Sequence, residues 1–369
     1  MSDRNFALIL ILILLFVSLL GATSGKTPNP TRLNPIRTHS IHGEITRMVY
    51  HGAWTPPAWC TVYGIDAGGG NLQQKVYTLL NWYQSIGIDT LFFCFTRPDV
   101  GHTTTFDPNY LTLCDKIVDE AYARGMRTVF YEWLVDDDPW DALIIGTLAA
   151  VNIHFANWCT FYNNLALHYK GNNKVIGFIP CSNTDRFTRP GNPWGFTDAD
   201  VYDGDASPIW MAYMDDMEDA IHSADNTKTF FCPPMPNFGD HWVGYTTPLN
   251  SVGPVTYHVM LGYATNDLGA SYYPLTSSFD NVLNWRDSHN TEVVTEFILA
   301  GEEMGWSSGW TWNTEAETWL NNWLIEMENN NFSWYWESLY DPSNSLDRRS
   351  NNGGLPNEFP WVQYLRDYL

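Results

Sequence analysis

The sequence predicts an α/β fold, a (β/α)8 TIM barrel. Eight strand-like runs of β-branched and aromatic residues alternate with longer stretches of helical period, and no linker or change in composition divides them. Alternating strands and helices form parallel sheets, and eight such repeats close into a barrel. Residues 41–369 are therefore expected to form a single domain with its functional side chains at the carboxyl ends of the strands.

The first half of the chain repeats a helix, a glycine and a strand. The run 45–50 predicts the first strand, and helical stretches at 71–86, 108–124 and 141–170 are each followed by a glycine and a further strand. Those strands are expected at 90–95, 127–133 and 175–179. Glycine readily adopts the left-handed conformation that ends a helix, so it marks the boundaries of these units.

The second half continues the alternation with one irregular crossover. Helices are expected at 207–224, 277–288, 315–328 and 361–369, and strands at 229–232, 254–259, 292–297 and 332–336. Residues 235–253 are rich in proline and glycine and lack a helical period. The fifth crossover is therefore expected to be a long loop.

A hydrophobic segment precedes the barrel. Residues 6–20 are apolar except for Ser18, and small residues follow them. The run is shorter than the about 20 residues that span a bilayer, which favours a secretory signal within residues 1–25, with a retained membrane anchor as the alternative. Residues 26–40 are expected to form an extended tether. Either interpretation puts the barrel outside the cytoplasm, secreted or anchored to the outer face of a membrane.

Composition narrows the class of partner. The formal net charge of −22 argues against nucleic acid and anionic membranes, since phosphates are bound through basic surface. Contact with a membrane is expected only if the N-terminal segment stays uncleaved. Aromatic residues make up 15% of the chain and include 18 Trp, more than a core of this size needs. Stacking of these rings on the apolar faces of sugars is the functional explanation.

The six cysteines form an even set, which permits disulfides in an exported chain, but their pairing is left open. No two of them have the C-x-x-C spacing, and the sequence contains no cluster of His and Cys. Neither a metal nor a cofactor is therefore expected. No pattern indicates an oligomeric state.

One carboxylate stands at the end of a predicted strand. Glu296 closes a β-branched run that begins at Thr291, and a second run ends about forty residues later in the aromatic Trp336. In a parallel barrel both positions belong to the functional end. A carboxylate beside a tryptophan is a combination that suits sugar chemistry, with a structural ion pair as the alternative role of Glu296.

Three stretches resemble the retaining glycoside hydrolases of the clan that includes the family 5 cellulases and mannanases. Leu165-Ala166-Leu167-His168-Tyr169 is similar to the clan's Leu-Ala-x-x-Tyr helix pattern before strand four. Thr295-Glu296-Phe297 is similar to the Gly-Glu-Phe of strand seven, and residues 332–336 resemble an eighth strand that ends in a sugar-stacking tryptophan. The resemblance implies a (β/α)8 barrel that hydrolyses β-linked glycosides with Glu296 as nucleophile.

The sequence departs from the clan after strand four. Where the clan has Asn-Glu, this chain reads Cys181-Ser182-Asn183-Thr184-Asp185, so Thr184 replaces the acid/base glutamate. Threonine cannot protonate a leaving group, whereas retaining hydrolysis needs a second carboxyl group. We expect this role for Asp185, one residue further on, or for Glu132 at the end of strand three. The alternatives are that Asp185 caps the next segment and that Glu132 pairs with an arginine.

Further residues are expected to bind sugar. Asn183 matches the clan's asparagine, Tyr257 and His258 lie where the clan often carries a histidine and a tyrosine, and Trp336 is expected to point inward together with Trp334. Many tryptophans follow predicted strands and are candidate sugar platforms: Trp54, Trp59, Trp133, Trp140, Trp194, Trp242, Trp306, Trp310 and Trp312. The tripeptide Asn331-Phe332-Ser333 fits the N-glycosylation pattern, but it enters a predicted buried strand, which argues against its use.

Two functions remain. The first is an exported, retaining, cellulase-like glycoside hydrolase that acts on a β-linked polysaccharide or oligosaccharide. The second is a degenerate barrel that binds glycan at the cell surface without hydrolysing it, because the proton donor after strand four is missing. A carboxylate within reach of Glu296 favours the enzyme, and its absence favours the binder.

Overall fold

The structure is a computed structural model. It describes residues 42–47, 65–66, 71–72, 74–95, 104–106, 108–132, 147–180, 194–195, 207–233, 248–264, 275–299 and 314–337. All of them belong to the second of two units into which the chain divides, residues 41–369. The expected signal or anchor, the tether and the helix 361–369 lie outside the described residues.

Eight strands and six helices alternate along the described part of the chain. The strands are β1 (His42–Arg47), β2 (Thr90–Phe95), β3 (Arg127–Glu132), β4 (Val175–Ile179), β5 (Thr229–Cys232), β6 (Val255–Ala264), β7 (Glu292–Leu299) and β8 (Ser333–Glu337). The helices are α1 (Gln74–Ile86), α2 (Pro108–Tyr122), α3 (Leu148–His168), α4 (Ser207–Ala224), α5 (Leu275–His289) and α6 (Thr314–Asn329). Within these ranges no helix is long and apolar enough to cross a membrane.

Every strand pairs in parallel with the strand that follows it in sequence, and β8 pairs with β1. The strand order therefore returns to its starting strand, and the six helices form the crossovers. Two short strands, Ile65–Asp66 and Asn71–Leu72, pair antiparallel before α1. The predicted α/β class and the TIM-like arrangement are confirmed. Between β5 and β6 the described residues 248–254 contain no helix, and the rest of the expected long loop, 235–247, lies outside the described residues.

Five of the turns from a helix to the next strand use one residue in the left-handed conformation. Gly87, Gly125 and Gly171 have φ of 94°, 86° and 68° and precede β2, β3 and β4. Asn290 and Asn331, both with φ of 52°, take the same place before β7 and β8. Asparagine is the residue other than glycine that most often adopts this conformation, so the repeat continues with a substituted turn residue.

Alternation along the strands separates two cores. One layer fills the barrel interior and consists of Phe92, Val129, Tyr131, Ile179, Phe231, Val294 and Tyr335. Their neighbours in sequence, such as Phe93, Phe130 and Val293, belong to the larger core between strands and helices. A side chain therefore faces either the interior or the helices according to its place in the alternation.

A buried ion pair links two turns at the amino-terminal face. Lys228 Nζ donates to the carbonyl oxygens of Asn172 and Val175 at 2.5 and 2.8 Å and lies 3.8 Å from Asp225 Oδ2. Burial lowers the pKa of Lys228, an effect that Asp225 partly offsets. Burial alone would raise the pKa of Asp225, but hydrogen bonds from Thr227 and the Gly171 N–H, together with Lys228, lower it. The pair fixes the starts of β4 and β5.

Candidate active site

Glu296 is the fifth of the eight residues of β7, so the strand continues three residues beyond it instead of ending there as expected from the sequence. Its Cα is paired with that of Tyr335 in β8 and with that of Met260 in β6. It comes two residues after Val294, whose side chain is fully buried in the interior layer. The strand pairing fixes its position in the sheet, and its role as nucleophile stays a prediction.

A tyrosine of β8 and a histidine of β6, on either side of β7, form a hydrogen bond inside the barrel. Tyr335 Oη lies 2.7 Å from His258 Nε2, and the two rings are stacked with their centroids 5.6 Å apart. Both side chains are fully buried. The Cα of His258 is paired with that of Val294, one alternation below Glu296. His258 therefore lies in the barrel interior beneath the candidate nucleophile, and its contact with sugar stays a prediction.

Aromatic rings surround this pair and fill the interior. Phe92 stacks on Tyr335 with centroids 4.1 Å apart, and Tyr131 meets the same ring edge-on at 6.4 Å. Phe231 approaches Phe92 edge-on at 6.3 Å. The interior of this TIM-like fold is thus a packed layer of side chains.

Glu132 ends β3, but its side chain faces the helices. Its Oε2 accepts a hydrogen bond of 2.8 Å from Trp158 Nε1 on α3, and both side chains are fully buried. The interior-facing neighbour in the strand is Tyr131. A tryptophan is thus one partner of Glu132, and an ion pair with an arginine stays a prediction. This orientation does not support Glu132 as a proton donor at the barrel centre, and that role stays a prediction.

Tyr257 faces the helices as well, on the side of β6 opposite His258. Its ring meets Trp285 of α5 edge-on at 4.9 Å, and its hydroxyl oxygen accepts a hydrogen bond of 2.8 Å from the Leu249 N–H. Burial raises the pKa of the Tyr257 hydroxyl. The structure thus separates the two neighbours, and sugar binding by Tyr257 stays a prediction without support from its position.

The expectation that Trp334 points inward is wrong. Trp334 packs edge-on against Trp323 of α6 at 6.1 Å, and its Nε1 donates to Glu328 Oε1 at 3.1 Å. The inward residue of β8 is Tyr335. Trp336 occupies the same side of the alternation as Trp334, so the argument for its inward orientation is lost. Its role as a sugar platform stays a prediction.

Ten predicted site residues lie outside the described residues: Asp185, Asn183, Trp54, Trp59, Trp133, Trp140, Trp242, Trp306, Trp310 and Trp312. Among the loop tryptophans, Trp194 is described and meets Tyr213 of α4 edge-on at 6.0 Å, partly buried. Within the described ranges, no group of three or more His, Cys, Asp or Glu side chains is arranged to hold a metal ion.

Sequence reasoning missed Tyr335 as the residue that meets His258. Residues 334 to 336 are all aromatic, so the alternation of polarity that normally orients a strand is absent there. No local signal distinguishes the two possible orientations. The decision comes from packing, because the larger Trp334 side chain fills the space against Trp323.

A second cluster of a hydroxyl, an imidazole and a carboxylate lies near the amino-terminal face. Ser251 Oγ lies 3.2 Å from His222 Nδ1, and Glu218 Oε1 is hydrogen bonded to both residues. His222 Nε2 lies 2.8 Å from the carbonyl oxygen of Lys228. In a nucleophilic triad the hydroxyl and the carboxylate bind different ring nitrogens. Here both contact Nδ1, so the cluster holds α4 to the segment before β6 rather than activating Ser251.

Solved structures with a similar fold include two endoglucanases and a cellulose synthase subunit. Endoglucanase Cel5A of Pseudomonas stutzeri, solved also in complex with cellobiose, superposes with a TM-score of 0.59 at 17% identity over 89% of this chain and 93% of its own. Cellulose synthase subunit Z of Clostridioides difficile gives 0.55 at 16% identity over 90% and 99%. An endo-β-1,4-glucanase of Xanthomonas axonopodis pv. citri gives 0.55 at 15% identity over 79% and 89%.

No protein-family model matches the chain, and no curated protein sequence does. At these identities the structural neighbours establish the fold alone. The chain has a cellulase-like glycoside hydrolase fold, which confirms the fold expected from the resemblance in sequence.

Proposed function

We propose that this chain is an exported, retaining glycoside hydrolase with a complete (β/α)8 barrel that cleaves a β-linked polysaccharide or oligosaccharide. The observation that carries the proposal is the coincidence of two facts. The fold is that of endoglucanases, and a glutamate occupies β7 two residues beyond the interior residue Val294. A carboxylate on the carboxyl-terminal side of the interior layer lies toward the face at which this architecture carries its catalytic residues.

The mechanism needs two carboxyl groups. Glu296 attacks the anomeric carbon and forms a glycosyl ester, while a protonated group gives its proton to the leaving oxygen, with the two groups about 5 to 5.5 Å apart. We assign the proton donor to Asp185, which follows β4 by six residues. Glu132 is the second choice, since its carboxylate contacts Trp158 on the helix side of the barrel.

The substrate is held by stacking and hydrogen bonding in this proposal. Trp54, Trp133 and Trp336 supply aromatic faces, and Asn183 supplies an amide to a sugar hydroxyl. His258 contacts Tyr335 and forms part of the floor below the sugar. Cellobiose is bound by the P. stutzeri neighbour, which makes β-1,4-linked glucans the first substrates to try.

The second function, glycan binding without hydrolysis, is favoured by one specific observation. Thr184 takes the place at which the resembling enzymes carry their acid/base glutamate. If Asp185 does not reach the glycosidic oxygen, the barrel keeps its sugar platforms and loses turnover. The protein would then present a binding site at the cell surface, secreted or anchored by residues 6–20.

The experiment compares two substrates in three proteins. The wild type is expected to hydrolyse cello-oligosaccharides and an aryl β-cellobioside. Asp185→Ala should lose about 10²- to 10⁴-fold on cello-oligosaccharides and far less on the aryl substrate, whose good leaving group departs without a proton. Glu132→Gln serves as the matched control and should show no such substrate-dependent loss.

Two results would redirect the proposal. Equal loss on both substrates in both variants would remove Asp185 and Glu132 as proton donors. Wild-type protein that quenches its tryptophan fluorescence with cello-, manno-, xylo- or laminari-oligosaccharides but releases no product would establish the binding function. No fluorescence response and no hydrolysis with any of these glycans would contradict both functions.

A further inference from the structure

The chain contains one Asn-x-Ser/Thr tripeptide whose middle residue is not proline, and it lies at the turn before β8. Sequence alone argued against its use because the tripeptide enters a buried strand. The structure separates its three residues. Asn331 is exposed, while Phe332 and Ser333 are 1% and 7% exposed.

The turn holds the Asn331 side chain outward. Phe332 is fixed beneath it, with its ring edge-on to Phe279 at 5.2 Å and under the Arg286 guanidinium at 4.4 Å. Arg286 also donates to the carbonyl oxygen of Asn330 at 2.7 Å. With both neighbours anchored and φ at 52°, Asn331 is the exposed apex of the turn.

The side-chain amide of the preceding residue, Asn330, differs from that of Asn331 in its hydrogen bonding. Asn330 Nδ2 donates to the carbonyl oxygen and to Oε2 of Glu326 at 2.9 and 3.2 Å, so its amide is engaged. Among the described residues, no hydrogen bond to the Asn331 side-chain amide is present, and only its backbone N–H is bound, to Glu328. A substituent on Asn331 Nδ2 would therefore break no contact within the described structure.

We propose that Asn331 is the acceptor of an N-linked oligosaccharide. The Asn331 Nδ2 forms a bond to the anomeric carbon of the first sugar of a lipid-phosphate-linked oligosaccharide. The bond from that carbon to the phosphate breaks, the phosphate leaves as an anion, and the amide nitrogen loses one proton to the transferase. The sequence requirement for a hydroxyl two residues later is met by Ser333.

Burial of Ser333 sets the time of the transfer. In the folded barrel Ser333 is paired with Val294 of β7, and its carbonyl oxygen accepts from Thr295 Oγ1 at 3.3 Å. The hydroxyl is then inaccessible to a transferase. Modification therefore takes place on the translocating chain before β8 joins the sheet, and the folded state accommodates the product because Asn331 stays exposed.

The location keeps the glycan away from the candidate active site. The turn joins the end of α6 to the start of β8, so it lies at the amino-terminal face of the barrel. Glu296 belongs to the opposite, carboxyl-terminal face. A bulky hydrophilic group at Asn331 is thus compatible with substrate binding at the other end.

The turn before β7 offers a matched control. Asn290 is exposed, has the same φ of 52° and occupies the same turn before β7, but the tripeptide reads Asn290-Thr291-Glu292. The substitution Glu292→Ser would complete an acceptor tripeptide there. The pair tests the acceptor position in two equivalent turns, one natural and one completed by substitution.

The proposal rests on the export included in the proposed function, and the test separates the two. The full chain is produced in a eukaryotic secretory host and its mass is measured before and after peptide N-glycosidase. The wild type is expected to carry one glycan, Asn331→Gln none and Glu292→Ser two. Secreted wild type without glycan overturns the proposal, most sharply if Glu292→Ser carries a glycan at Asn290 alone.

A chain retained in the cytosol contradicts the proposed export, and the same full chain fused behind a host signal then decides the site. A glycan at Asn331 in that fusion supports the proposal, and a bare secreted fusion overturns it. Folded, unmodified protein presented to the transferase and its donor should stay bare. Its modification would overturn the assigned timing.

Discussion

The barrel interior places a polar pair among aromatic rings. Tyr335 and His258 form one hydrogen bond of 2.7 Å, and Phe92 covers the tyrosine face. Buried polar groups are retained at a cost unless they are hydrogen bonded. At the level of single residues, the candidate site therefore depends on the side chains that fix this interior layer.

Replacing Trp158 tests the role of Glu132. Trp158→Phe removes the indole N–H that donates to the buried Glu132 carboxylate, so the free energy of unfolding should fall by about 1–3 kcal/mol. Glu132→Gln keeps an acceptor for the indole N–H, so the free energy of unfolding of this variant should fall by less. Urea unfolding measures both. Equal stability of the Trp158→Phe variant and the wild type would show that this hydrogen bond contributes little.

The limits of sequence reasoning at this scale are clear from strands β3, β6 and β8. The strands that carry Glu132 and Glu296 were predictable from the sequence, since both residues lie in the strands expected for them. The direction of a side chain was not predictable where polar and apolar residues do not alternate along the strand. Tyr257 and Trp334 are large aromatics that either side of a strand accepts, and packing against Trp285 and Trp323 decides their direction.

At the level of elements, the segment before β6 at the amino-terminal face makes specific side-chain contacts with α4. Gly253 lies directly against the His222 ring, where a Cβ would come 2.6 to 2.8 Å from three ring atoms. Ser251 in the same segment contacts Glu218 and His222. These contacts set the start of β6, the strand that carries His258.

Gly253→Ala is expected to destabilise the fold through this contact. The added methyl group forces the His222 ring away from Glu218 and Lys228, and overpacking of this kind typically costs about 1–3 kcal/mol. In a His222→Ala background the same substitution should cost much less. A double-mutant cycle by thermal or urea unfolding measures the coupling. Additive effects of the two substitutions would show that the ring and the glycine do not interact.

Acid should weaken the turn that carries Asp225. Its pKa is lowered in the folded state, so its contribution is present above the unfolded value of about 4 and is lost as the pH falls through the folded value. Asp225→Asn should therefore be less stable than wild type at pH 6, and this difference should shrink between about pH 4 and pH 2. Urea unfolding across this range measures it. A difference that is constant with pH would contradict the assignment.

A surface variant controls for general loss of charge. Asp119 accepts from Lys174 Nζ at 2.7 Å, but its side chain is 62% exposed. An exposed pair of this kind contributes little to stability. Asp119→Asn should therefore remain close to wild type at pH 6, whereas Asp225→Asn should not.

The elements themselves were predictable in detail. The runs at 90–95, 175–179, 207–224 and 229–232 agree with the observed bounds, because strong periodicity and flanking turn residues define them. The first strand begins three residues earlier than expected, at His42, since its pairing with β8 and β2 decides its register. Pairing across the sheet is information that a local pattern lacks.

For the molecule as a whole, the sequence predicts the fold more completely than it predicts the function. The alternation of elements was sufficient to predict a TIM-like fold, and three short motifs were sufficient to indicate the cellulase-like type that the structural neighbours share. In the proposed function, the chemistry depends on Asp185 after β4 and on Glu296 within β7. A fold at 13–17% identity to its neighbours carries no guarantee that those side chains are kept.

In the proposed mechanism, Glu296 forms a covalent bond to the sugar. The most direct measurement treats the full-length protein with a 2-deoxy-2-fluoro-β-cellobioside that has an activated leaving group, followed by mass mapping of peptides. The account predicts a fluoro-cellobiosyl ester on the peptide that contains Glu296, and none in Glu296→Ala, in which azide restores turnover of an aryl cellobioside with inverted product. Label on another carboxylate, or undiminished turnover by Glu296→Ala without azide, would contradict it.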